Sequence, residues 1–145
     1  MYDPKQFDKS KFTNQPYLKR IEKPWGFELH WVFENLPYMG KVLHINDGKR
    51  LSLQVHDQKQ ESWFIIKGRG KIIWEDQNGI LIETEMEYGK GYTCSRGQKH
   101  RLAGITDCDI IEVSTPELGI TYRLEDDYKR PDETEEQRKK ERGEV

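Results

Sequence analysis

Period-two alternation of apolar and polar residues dominates the middle of the chain. Arg50-Leu51-Ser52-Leu53-Gln54-Val55-His56 alternates cleanly, and Phe27 to Phe33 does so loosely. Successive strand residues face opposite sides, so each run predicts a strand with one buried face. Lys41-Val42-Leu43-His44-Ile45 predicts another, ended by the turn Asn46-Asp47-Gly48. Lys71-Ile72-Ile73-Trp74 and Ile80-Leu81-Ile82 flank Asp76-Gln77-Asn78-Gly79, whose Asn-Gly pair is a hairpin signal. Trp63 to Ile66 and Cys108 to Val113 are further strands, and no convincing helix or internal repeat interrupts the series. Many short strands separated by turns predict an all-β sandwich or small barrel.

Parity then sorts the faces. Counting in twos from Gln54 and His56 turns Ser52 and Arg50 inward and Leu51, Leu53 and Val55 outward. Trp63, Ile65 and Lys67 follow Glu61 inward; Leu102 follows His100 inward, with Arg101 outward. Lys41 goes inward with Leu43 and Ile45, and Glu112 does so if Ile111 and Val113 face out. The outward aliphatics, extended by Phe64 and Ile66, need cover. A second sheet could pack there, or a second subunit, making a homodimer; the alternative to the dimer is the N-terminal arm with Phe7, Phe12 and Tyr17.

The ends differ from the middle. Residues 1–20 form a polar arm, 21–130 the barrel, and 131–145 a charged tail. In the tail, Glu135 with Lys139 and Glu136 with Lys140 stand at i,i+4, which predicts a short solvated helix or a frayed end.

At 145 residues one domain is expected. The net charge of −2, with Lys and Arg interspersed among Asp and Glu, argues against a nucleic-acid partner. No apolar run is long enough for a transmembrane helix, and Met1-Tyr2-Asp3-Pro4 does not open a signal peptide. Cys94 and Cys108 carry no motif, so reduced thiols in the cytoplasm are expected.

The candidate chemistry lies in Gln54-Val55-His56-Asp57-Gln58-Lys59-Gln60-Glu61, answered by His100. Gln54 and His56 share a strand face. A hairpin after His56 would bring the Glu61 carboxylate beside the imidazole. Two imidazole nitrogens, a carboxylate oxygen and an amide oxygen suit one borderline divalent ion: Zn or Mn first, with Fe, Co or Ni as alternatives. Four protein ligands leave positions open for water or substrate. The surrounding pocket is expected to be concave, aromatic and aliphatic, with Trp63 in its wall.

The stretch from Gly48 through Gln54, His56 and Glu61 to Gly68, and the stretch from Gly89 to His100, resemble the two motifs of the cupin superfamily. Ser95 stands where those motifs carry proline, and Gly104 where they carry asparagine. The closer resemblance is to the C-terminal cupin domain of type II mannose-6-phosphate isomerases, in its stand-alone form. It rests on Pro24-Trp25-Gly26, Leu51 to His56, Glu61 to Trp63, and Arg123-Leu124-Glu125-Asp126-Asp127-Tyr128-Lys129-Arg130. Asp57-Gln58-Lys59 replaces a histidine run common in that family.

The resemblance implies a single-domain cupin, a double-stranded β-helix or jelly-roll barrel, holding one metal through Gln54, His56, Glu61 and His100. It implies aldose–ketose isomerisation of a sugar phosphate, mannose 6-phosphate and fructose 6-phosphate first. Glu112 is the candidate base, with a salt bridge to Arg50 as its alternative. Lys41 would hold phosphate or donate a proton, with a snorkelling surface lysine as its alternative. Arg50, Trp63 and Arg123 are the candidate substrate contacts; Arg123 and Arg130 would clamp phosphate, or pair with Glu125, Asp126 and Asp127. Two other function classes fit the same residues: another cupin enzyme, such as an Fe(II) oxygenase or lyase, and a metal-containing sugar-binding module without catalysis.

Overall fold

In the computed structural model, which describes residues 1–144, the alternating runs fold into two antiparallel sheets. The strands are β1 (Lys19–Lys23), β2 (Gly26–His30), β3 (Met39–Ile45), β4 (Leu53–His56), β5 (Glu61–Lys67), β6 (Gly70–Glu75), β7 (Leu81–Glu85), β8 (Tyr92–Cys94), β9 (His100–Gly104), β10 (Cys108–Ser114) and β11 (Thr121–Glu125). One helix, α1 (Glu135–Glu141), follows them, and Val145, the last residue of the charged tail, lies outside the described residues. One sheet runs β1-β2-β3-β10-β5-β8 and the other β11-β4-β9-β6-β7. This two-sheet arrangement is a jelly roll.

The core lies between the sheets. Leu43, Ile45, Ile65 and Ile110 enter from the six-stranded sheet, and Ile72 and Leu102 from the other, with Trp25 and Trp63 among them. All are nearly inaccessible to water, at roughly 25 cal/mol per Å² of apolar surface removed from solvent. The β6–β7 hairpin turns at Asp76–Gly79, as the Asn-Gly pair predicts, with Gly79 at φ 80°. Gly68 is held at φ 74°, and a Cβ there would meet the Asp107 carbonyl oxygen at 2.0 Å. That close approach lets β5 turn directly into β6.

Five expectations about facing fail locally. Regular pairing of β4 starts only at Leu53, and Arg50 makes an isolated bridge to Ala103, so a count in twos does not extend back through residues 50–52. Leu51 packs against the core, Leu53 is buried, and Arg50 is exposed. Lys67 is also exposed; the β5–β10 register slips between Asp109 and Ile110, just where Lys67 pairs. Arg101 is buried rather than outward in water, because its guanidinium donates to the Leu51 and Glu125 carbonyl oxygens.

The tail is not merely solvated. Glu133 pairs with Thr121 through two backbone hydrogen bonds, an isolated bridge beside β11, and α1 then packs Arg138 against the barrel. Thr134 caps the helix by accepting from the Gln137 amide. Its outer residues Glu135 and Lys139 still form the exposed i,i+4 pair. At the other end Tyr17 stacks on Phe33, whereas Phe7 and Phe12 stay exposed.

Candidate metal centre

His56 ends β4, His100 opens β9 and Glu61 opens β5. β4 and β5 lie in different sheets, so the expected hairpin between them does not form. The chain crosses from one sheet to the other, and Glu61 meets the two histidines across the barrel. Its Oε2 lies 3.0 Å from His56 Nε2 and 3.0 Å from His100 Nε2. Gln54 sits opposite His100 in the β4–β9 pair and lines the same cavity.

The outer nitrogens explain how the rings are held. His100 Nδ1 is 2.9 Å from the Gln98 carbonyl oxygen, which can only accept, so Nδ1 carries the proton and Nε2 is a bare lone pair. His56 Nδ1 is 2.8 Å from Thr121 Oγ1. Burial pushes the His56 imidazole below its ordinary pKa, against the pull of Glu61. His56 Nε2, His100 Nε2 and Glu61 Oε2 are buried and have no hydrogen-bond partner. Three ligand atoms thus converge, all within 4.8 Å of one another. A carboxylate oxygen packed on two imidazole nitrogens in a low-dielectric interior needs a proton or a cation between them. The residues therefore fit a divalent ion, each histidine having an outer partner of the kind that orients metal ligands. Thr121→Val should weaken metal retention by about 10–100-fold while the fold persists, as measured by competition with a chelator and by circular dichroism. Unchanged retention would show that Thr121 does not orient His56.

The surrounding cavity is not the apolar pocket expected. Lys41, Lys59, Glu112, Glu117, Arg123 and Glu133 all line it, and its volume is only about 50 Å³. Glu112, from β10, accepts from the Trp63 indole N–H at Oε1 (3.0 Å), while Oε2 is buried without a hydrogen-bond partner. Burial pushes its carboxyl up to about 7, Lys59 opposing and the Glu61 charge reinforcing the rise. Lys41 is buried, not snorkelling, and its Nζ lies 2.5 Å from Glu117, 3.5 Å from Glu28 and 3.9 Å from Glu112. Arg123 is brought to the cavity, but its partners are the tail acids Glu133 and Glu141, each at 3.0 Å, not Glu125 or Asp127. Arg130 does pair with Asp126 at 2.8 Å. Trp63 is fully buried beside His100, with ring centroids 5.1 Å apart. Arg50 is not brought to the site: it faces water in a two-bonded pair with Asp127, at 2.8 and 2.9 Å, and Glu112 does not reach it.

Lys59 escaped the sequence reading. Its Nζ is 2.7 Å from Glu61 Oε1 and 3.6 Å from Glu112 Oε2. It lies in the crossing between β4 and β5, where a count in twos does not hold. Glu117 also escaped, because it lies in the loop between β10 and β11, where parity has no meaning.

Glu112 carries a stability signature of definite sign. An unfolded glutamate titrates near pH 4.3 and the folded one near 7, so between those values the folded chain holds a proton that the unfolded chain has released. Stability of the metal-free chain should fall as pH rises through this window, by on the order of 2–3 kcal/mol. Glu112→Gln removes that titration. Its stability relative to the unmodified chain should rise between about pH 5 and about pH 8 in denaturant melts, and a flat difference would contradict the assignment.

The motif spacing and the two-sheet architecture are matched by relationship. A family model described as Mannose-6-phosphate isomerase C-terminal matches residues 11–133. The chain belongs to this family. It is 30% identical over 112 residues to the alginate biosynthesis protein AlgA of Pseudomonas aeruginosa, covering 76% of this chain and 21% of AlgA. It is 26% identical over 118 residues to mannose-1-phosphate guanylyltransferase 2 of Escherichia coli O157:H7, covering 79% of this chain and 22% of that protein. The chain thus spans about a fifth of the length of these curated relatives. Among solved structures, Bacillus subtilis oxalate decarboxylase aligns with a TM-score of 0.65 at 15% identity, over 79% of this chain and 33% of that one. The Lactobacillus farciminis oxalate decarboxylase gives 0.65 at 18%, over 79% and 37%. These two matches establish the cupin fold. Both buried cysteines are free thiols, which burial raises to about 12 (Cys94) and about 11 (Cys108). Among the described residues no helix is long and apolar enough to cross a membrane.

Proposed function

We propose that this cupin catalyses metal-dependent interconversion of an aldose phosphate and a ketose phosphate, mannose 6-phosphate and fructose 6-phosphate first. One observation carries the reading: His56 and Glu61, which converge with His100, line the same cavity as a buried carboxylate, Glu112, with one oxygen held and one free. Gln54, His56, Glu61 and His100 would hold the ion, Zn or Mn first. When bound, a divalent ion supplies Lewis-acid polarisation of a sugar carbonyl.

The chain's own groups would do the rest. Glu112 Oε2 takes the proton from C2 and returns it at C1, and a carboxyl near pH 7 is matched to that two-way task. The Trp63 indole fixes the other oxygen, so the free one points into the cavity. Lys59 supplies positive charge beside Glu61 and Glu112, Lys41 supplies it beside Glu117, and Arg123 adds charge at the wall. Incubation with mannose 6-phosphate in deuterated water should label C1 or C2 when Zn or Mn is supplied. Absence of labelling with Zn, Mn, Co and Fe(II) alike retires the isomerase in favour of a sugar-binding module, a reading that the tight, ion-paired cavity also supports. The reduced thiols fit a cytoplasmic setting.

A homodimer belongs to the same proposal. Leu29, Val42, Ile111 and Phe64 form a cross-strand row on the outer face of the six-stranded sheet. Beside it Ile66 and Val113 are 47% and 48% exposed. Leu51 and Leu53 drop out of the expected patch, but Phe64 and Ile66 stay in it. Sedimentation should give a dimer at micromolar concentration, and Phe64→Lys with Ile66→Lys should give a monomer. A monomeric unmodified chain would refute this.

A further inference from the structure

Glu117 is held in a cage of three cations whose polar atoms are incompletely paired. It lies in the segment joining β10 to β11, and its side chain is 11% exposed. Lys41 Nζ from β3 lies 2.5 Å from its Oε1. Arg142 Nη2, at the end of α1, lies 2.5 Å from Oε2, and Arg138 Nε from the same helix lies 3.4 Å from that oxygen. Glu28 and Glu133 share two of these cations, at 3.5 Å from Lys41 and 2.9 Å from Arg138. Even so the cage is poorly satisfied: Glu117 Oε1 has no aligned donor, and the buried Arg142 Nε has no acceptor. Burial would raise the Glu117 carboxyl, but Lys41, Lys59 and Arg142 outweigh it and keep the group ionised.

Glu117 and Arg142 are also a partition. Both line the 50 Å³ cavity that His56 and Glu61 line, and both line a second groove of about 520 Å³ walled by Phe33, Tyr38, Met39 and Leu118. Small-molecule pockets start at roughly 300 Å³, so the first cavity alone is too small for a sugar phosphate and the groove is not.

We propose that Lys41, Arg138 and Arg142 form a subsite for a phosphate group, and that the Glu117 carboxylate holds this subsite until the anion displaces it. A phosphate monoester brings nearly two negative charges and three acceptor oxygens, against one charge and two oxygens for Glu117. Its extra oxygen gives Arg142 Nε the acceptor it lacks, in the two-pronged geometry that guanidinium groups favour. The exchange needs only a side-chain rotation. The backbone there is tethered, since the Glu117 and Gly119 carbonyls accept from Arg138. Rotation of Glu117 joins groove and cavity, so the sugar reaches the metal ligands as its phosphate docks. This deepens the isomerase reading by naming its phosphate anchor, and it assigns Lys41 to binding rather than proton transfer.

The test is phosphate binding, read by calorimetry with inorganic phosphate and with mannose 6-phosphate. If Glu117 holds the subsite at least nine-tenths of the time, Glu117→Gln should bind either probe at least about tenfold tighter than the unmodified chain. Adding Arg142→Gln should erase the gain. Should Glu117→Ala not fold in chloride, phosphate should restore its circular dichroism and chloride should not. Unchanged or weaker affinity in Glu117→Gln, a gain that survives Arg142→Gln, or no selective rescue would overturn the proposal. None of these readouts involves turnover. Tighter phosphate binding without deuterium labelling leaves the subsite standing and the isomerase not, and labelling without tighter binding does the reverse.

Discussion

Purified in the presence of a divalent metal, the His56→Ala chain should keep almost none of it, while the unmodified chain keeps close to one ion. The expected loss exceeds the roughly 10–100-fold that removal of an outer partner costs, because a ligand itself is gone. The reason lies in the acceptor triad. Glu61 Oε2 faces two imidazole nitrogens at 3.0 Å, and neither nitrogen has a hydrogen-bond partner. A cation there would be bound by all three groups, and removing one imidazole removes both a ligand and a wall of the site. Elemental analysis reads the outcome directly. The barrel should survive the exchange, because the core cluster of Leu43, Ile45, Ile65, Ile72, Leu102 and Ile110 contains no member of the triad. Retention of a full equivalent of metal by this variant would remove the basis for a metal centre at this place.

How much of this was legible in the sequence depends on what regular structure preserves. Parity placed Lys41, Leu43 and Ile45 on one face of β3, and Trp63 and Ile65 on one face of β5, because both strands run seven residues with a regular inner register. It failed for Arg50, Leu51 and Lys67, where an isolated bridge and a register slip break the count. The acceptor triad was found for a partly mistaken reason: Glu61 does reach His56, but across two sheets rather than along a hairpin. Nothing in a one-dimensional pattern says which sheet a strand joins. The charged tail was the least legible part. Its composition reads as solvated, yet Glu133 and Arg142 line the cavity and Arg138 is buried, because their partners Arg123 and Glu117 lie ten or more residues away in sequence.

Glu112→Gln should lower the rate of deuterium incorporation into mannose 6-phosphate by about 10²–10⁴-fold, the range that a positioned base supplies, with KM nearly unchanged. The amide fits the same space and can still accept the Trp63 N–H at one atom, so geometry is kept and only basicity is lost. The pH profile of the unmodified chain gives an independent check. A base works deprotonated, so the rate should climb with rising pH and level off once the carboxyl is ionised. In the metal-free chain that carboxyl sits at about 7, because burial and the Glu61 charge outweigh Lys59. A divalent ion held by His56, Glu61 and His100 adds positive charge nearby and favours the ionised form, so the inflection should fall at or below about 7, never above it. The Gln variant should lose this inflection along with the rate. If it retains both, the proton is carried by another group, and Lys59, 3.6 Å from Glu112 and 2.7 Å from Glu61, becomes the residue to replace next.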